Sequence, residues 1–120
     1  MNETHTQFAQ VGELLATLAV KSNNLVEANK ALTLAQIAKQ DADISLAQKT
    51  ADAFIEGLVT GSNDAQRKAS LASLTVDETH AVEIAEKNLL IARSSVTIAE
   101  IEYRTINTVI NTTTAFASKI

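Results

Sequence analysis

Cysteine, proline and tryptophan are absent from this 120-residue sequence, and glycine occurs three times, at Gly12, Gly57 and Gly61. The missing cysteine removes disulfides, thiolate metal sites and a cysteine nucleophile together. Without proline, and with so little glycine, the chain has few places to reverse direction. Aromatic residues make up 3% of the sequence, too few for an ordinary sandwich or barrel core. No uncharged apolar run reaches the ~20 residues that a membrane-crossing helix needs. A basic surplus is missing too: the formal net charge is -4 and the pI is about 5.1. A duplex-DNA binder needs a basic surface to displace phosphate counterions, so that class is not expected. The opening residues lack the basic start of a signal peptide, and Glu3 and Glu13 interrupt them. A cytoplasmic location is therefore the expectation.

What is present is alanine, leucine and isoleucine in helical spacing, which predicts one all-α domain over residues 1–120. The C-terminal half carries the clearest pattern. Val82, Ala85, Leu89, Ala92, Val96, Ala99, Tyr103, Ile106, Ile110, Thr113, Ala117 and Ile120 recur in steps of three and four. Such a seam predicts a helix packed lengthwise on another helix. Glu83 with Lys87, and Glu100 with Arg104, stand four apart with the acid first, as suits an exposed helix flank. A second stripe, Ile84, Ile91 and Ile98, lies on a different side of the same helix and asks for a second neighbour.

The N-terminal half is less regular. Val11, Leu14, Leu18, Leu25, Ala28 and Leu32 follow one seam; Leu34, Ile37, Ile44, Ala51, Ile55 and Leu58 follow another. The reading is a phase shift near residues 32–37 and a break at Ser22-Asn23-Asn24, where Asn24 caps a new helix with Glu27 completing the box. The main reversal falls at 57–63, with Gly61 closing one helix and Asn63 capping the next. Thr75 and Glu78 form a second capping-box match. Helices are expected over roughly 6–21, 25–58, 64–74 and 77–118, as a long antiparallel hairpin.

Two helices of ~40 residues, each ~60 Å long, bury little surface against each other alone. A homo-oligomer, most simply a dimeric four-helix bundle, covers the second stripes. From Thr105 to Ser118 the sequence has no charge, and near the N-terminus Glu13 is the one fixed charge from Thr4 to Val20. A hairpin brings these segments side by side, and charge-depleted surface is what an interface core resembles. Val11, Leu14, Leu18, Tyr103, Ile106, Ile110 and Phe116 are the interface residues this predicts. The alternative is an end buried within one chain. Glu13, inside that zone, is expected to hold a specific partner.

The tip reads Gly61-Ser62-Asn63-Asp64-Ala65-Gln66-Arg67-Lys68. A helix start exposes backbone N–H groups and partial positive charge, and Arg67 and Lys68 add to it. An anion such as a phosphate, held by Gly61, Ser62, Asn63, Arg67 and Lys68, would satisfy all of these. The plain alternative has both cations in solvent or paired with Asp64. Gly61, Asn63 and Arg67, opening a helix and followed by the Glu83-to-Arg104 helix, resemble the tip of small helical-hairpin proteins encoded by phages and other mobile elements. That resemblance covers about the last half of the chain and implies a source and a shape, with no settled activity.

Asp77 and His80 share a helix face at the spacing of di-metal bundles, where Asp52 or Glu56 would have to face them. The plain reading is an acidic first turn beside a solvated histidine, and no metal or cofactor is expected. His5 and His80 are the sole imidazoles, no glycine elbow precedes a serine, and neither a dinucleotide fingerprint nor a phosphate loop is present. The functional expectation is a non-enzymatic homo-oligomeric binding protein. It would act in host interaction or counter-defence by sequestering a nucleotide-like ligand or blocking a host protein. A structural or assembly accessory is the alternative, and a metal-dependent bundle enzyme the third.

Overall fold

The computed structural model describes Asn2–Ser118, with side chains from Thr6 to Phe116 apart from Gln7. Three helices make up an all-α hairpin: α1 (Asn2–Ile55), α2 (Asp64–Leu74) and α3 (Val76–Ser118). The chain packs as two units. One joins the part of α1 up to Leu32 to the part of α3 from Ala92 on; the other is Thr33–Ile91.

In the first unit Val11, Leu14, Leu18, Leu25, Ala28 and Leu32 of α1 are half-buried. On α3, Ala92, Val96, Ala99 and Ile110 are buried, and Tyr103, Ile106 and Thr113 half-buried. Alanine on the α3 side leaves room for close approach of the partner backbone, and the leucines of α1 fill it. Lys21 occupies a seam position, 30% exposed along its side chain, and its ammonium lies 3.2 Å from Glu102 of α3. The lysine stem packs as hydrocarbon while its charge reaches the rim. Ala117 and Ile120, the last members of the expected seam, lie outside the residues whose side chains are described.

In the second unit the α1 seam runs through Ala35, Lys39, Ala42, Leu46, Thr50 and Ala53, opposite Val82, Ala85 and Leu89 of α3. The expected phase shift does not occur. Leu32, Lys39, Leu46 and Ala53 continue the seven-residue repeat begun at Val11, so Leu34, Ile37, Ile44, Ala51, Ile55 and Leu58 all face outward. Lys39 hid the repeat, because its buried stem is apolar while its name is charged. Nor does α1 break at Ser22-Asn23-Asn24, since the helix is continuous there. Those three polar side chains are exposed, while Lys21 and Leu25 on either side hold the seam. Packing of an amphipathic face outweighs the weak preference of asparagine for caps.

Gly57, not Gly61, closes α1. With φ +69 it takes the left-handed conformation. The Leu58 N–H donates to the Ala53 carbonyl at 2.9 Å, and the Gly57 N–H to the Phe54 carbonyl at 3.2 Å. These are the paired bonds of a Schellman cap, and they end the helix at Ile55 rather than residue 58. Asn63 caps α2 as expected, its Oδ1 accepting from the Gln66 N–H at 2.8 Å. The second capping box is not formed. Thr75 is buried and turns its hydroxyl back to the Leu71 carbonyl at 2.9 Å, ending α2 instead of starting α3.

Candidate functional site

At the tip, Gly61 has φ +135, and a Cβ there would lie 2.6 Å from Gln66 Cβ and 2.9 Å from the Arg67 nitrogen. The Gln66 carboxamide oxygen accepts from the Ser62 N–H and hydroxyl, both at 2.8 Å. The loop is further tied down by the Thr60 N–H, which donates to Ser70 Oγ at 3.0 Å. The structure therefore brings Gly61, Ser62, Asn63 and Arg67 together as a self-satisfied cap. Gln66, which is not among the residues expected to form the tip site, is its hub.

The same geometry narrows what the tip can bind. The Gln66 N–H is taken by Asn63 Oδ1 and the Arg67 N–H by the Asn63 carbonyl, at 3.0 Å. The Arg67 guanidinium donates to the Asp64 carboxylate at 2.7 Å, with Asp64 88% exposed. This is the plain alternative weighed from sequence. Beside it, Arg67 and Lys68 line a shallow groove of about 200 Å³ with Phe54, Asp64 and Leu71.

At the other expected site, Val11, Leu14, Leu18, Tyr103, Ile106 and Ile110 lie on the faces that α1 and α3 turn to each other within the first unit. Phe116 points outward, 66% exposed. Glu13 is exposed beside Gln10, Leu14, Thr17 and Thr113, which line an open groove of about 390 Å³. It does not sit in a buried zone.

His80 is exposed and its Nδ1 stands 3.9 Å from a Glu83 carboxylate oxygen. Among the described residues no group of three or more histidine or acidic side chains is placed to hold a metal ion. No described helix is long and apolar enough to cross a membrane.

The most extensive feature is one the sequence reading placed only in part. Among the described residues six apolar residues are buried, four of them alanine, and no side chain is wholly enclosed. Eighteen large apolar side chains are exposed, including Leu34, Ile37, Ile44, Phe54 and Ile55 on α1 and Ile84, Ile91 and Ile98 on α3. Scattered surface apolar residues are ordinary, whereas continuous helical stripes of them mark contact surfaces. Compared with known proteins, the chain matches no family model, no curated sequence and no solved structure.

Proposed function

We propose that this protein is a non-enzymatic helical binding protein that works as a homo-oligomer, with helix faces rather than a pocket as its working surface. The observation that carries this reading is the division of apolar residues. The α1–α3 seam uses one stripe of each helix, and a second stripe on each remains exposed.

The Gly61, Asn63 and Arg67 pattern supports a phage or mobile-element source, and with it a host-interaction or counter-defence role in which the oligomer blocks a host protein. An assembly accessory that acts by oligomerising alone rests on the same stripes. A second reading, a nucleotide-like anion at the tip, is favoured by the groove between Phe54, Arg67, Lys68 and Leu71. It must displace Asp64 from Arg67, which makes it the weaker of the two.

Light scattering on the wild type and Arg67→Ala separates them. Self-association through the stripes gives a mass above 12.8 kDa for both proteins. A thermal-shift panel of linear and cyclic nucleotides tests the tip: a shift lost in Arg67→Ala would establish the second reading, and no shift across the panel removes it.

A further inference from the structure

Ser70 of α2 follows Arg67 and Lys68, the only two adjacent cations in the sequence, and precedes Leu71. No other serine or threonine has a cation both three and two residues before it. Near the start of α2 the helix dipole favours acids, so it gives no reason for either cation. Nor does the cap need them, since Asn63, Ser62 and Gln66 complete it. Two cations, a spacer, a hydroxyl and an apolar residue are a pattern that an enzyme with an acidic substrate groove reads. Arginine-directed serine kinases have that groove.

The surroundings of Ser70 suit that reaction. Arg67 and Lys68 are exposed, and with Leu71 they line the groove beside Phe54. The helix α2 has eleven residues, none of them buried. Isolated helices shorter than about 12–15 residues are marginal in water. Segments with few buried contacts open locally while the rest of a protein stays folded. A kinase can therefore take 64–74 in extended form without unfolding the α1–α3 seam. Ser70 also holds the tip loop: its Oγ accepts from the Thr60 N–H at 3.0 Å and lies 3.4 Å from the Thr60 hydroxyl.

We infer that Ser70 is a phosphorylation site for an arginine-directed serine kinase, and that phosphorylation unlatches the 56–63 loop from α2. Ser70 Oγ attacks the γ-phosphorus of magnesium-bound ATP, and a phosphate ester bond forms. The bond from that phosphorus to the β–γ bridging oxygen breaks, ADP leaves, and the hydroxyl proton passes to the kinase's carboxylate base. The ester oxygen is a poor acceptor for the Thr60 N–H, and the phosphate crowds the Thr60 hydroxyl. Ser70 stands four residues before the end of α2, whose last turn holds no basic residue. Negative charge there opposes the helix dipole and loosens the helix. The site is independent of the self-association proposed above.

The test incubates the full chain with magnesium, ATP and the catalytic subunit of cyclic-AMP-dependent protein kinase, and locates the phosphate by fragment mass spectrometry. One phosphate on Ser70 is expected, absent from Ser70→Ala. Arg67→Ala and Lys68→Ala, each with the circular dichroism of the wild type, should slow its incorporation by about tenfold or more. Hydrogen exchange of the phosphorylated chain should quicken over 56–74 and stay unchanged over Val96–Tyr103 in the seam. A chain left unmodified, or modified only at Thr33 behind its single Lys30, would overturn the site. So would a rate at Ser70 that ignores both cation variants. Phosphate on Ser70 with unchanged exchange over 56–74 would overturn the unlatching.

Discussion

Lys39 of α1 and Glu86 of α3 stand 3.8 Å apart across the helix seam, with the lysine side chain 23% exposed. Leu32 and Leu46 occupy the equivalent positions seven residues to either side. Asp43 holds the same ammonium from one turn further along α1. Lysine is thus used as seam hydrocarbon with its charge led out to two carboxylates. The arrangement keeps the helix in register without the burial that leucine would supply.

Replacing Lys39 with leucine should therefore stabilise the fold. Partly exposed ion pairs contribute about 0–1 kcal/mol, whereas a buried leucine contributes about 1.5–3 kcal/mol. Urea unfolding of Lys39→Leu is expected to show a gain of about 1 kcal/mol. A loss would mean that the Glu86 and Asp43 contacts outweigh seam packing.

Two glycines should respond in opposite directions. Gly61→Ala forces a side chain onto φ +135 and against the α2 backbone, which should cost about 1–3 kcal/mol. Gly12 sits inside α1, where a Cβ meets nothing within 4 Å. Gly12→Ala should stabilise by about 0.5–1 kcal/mol. Thermal unfolding of both variants checks the pair, and shifts of the same sign would contradict the assigned conformations.

The tip should separate capping from charge. Asn63→Ala removes the acceptor for the Gln66 N–H and should cost about 1 kcal/mol. Arg67→Ala removes an exposed pair and should change stability by no more than about 0.5 kcal/mol. If Arg67→Ala proved the more damaging in urea unfolding, the tip would have to hold more than its own cap.

Ile110, 9% exposed, lies in the seam between α3 and α1. Ile110→Asp should cost roughly 3 kcal/mol or more, because it places an unpaired charge where the helices meet. A variant as stable as the wild type would remove Ile110 from the seam.

Much of this fold is legible in the residues, and for a physical reason. The α3 seam was read from Val82 to Thr113 because alanine, valine, leucine and isoleucine alternate without a charged member, and every one of those positions is buried or half-buried. The bounds of α2 were legible because Asn63 carries its own capping chemistry. The second half of α1 was not, because apolar character and seam membership part company there. Lys39 and Ala42 are inside the seam while Ile37 and Ile44 are outside it. Extending the repeat of Val11, Leu18, Leu25 and Leu32 by sevens, without regard to residue type, finds the true seam. The helix closure was misplaced for a similar reason, since Gly57 and Gly61 both tolerate positive φ and sequence does not say which bond pattern will form. The tip was open for another: Arg67 can turn to an anion or to Asp64, and the side-chain geometry favours Asp64.

Whether the outward stripes meet other copies is tested most directly by the unfolding midpoint as a function of protein concentration. For a chain whose folded form is an oligomer, mass action makes that midpoint rise with concentration. Across about a hundredfold range, the midpoint should climb and the mass before unfolding should exceed 12.8 kDa. A concentration-independent midpoint with a mass of 12.8 kDa would contradict the account.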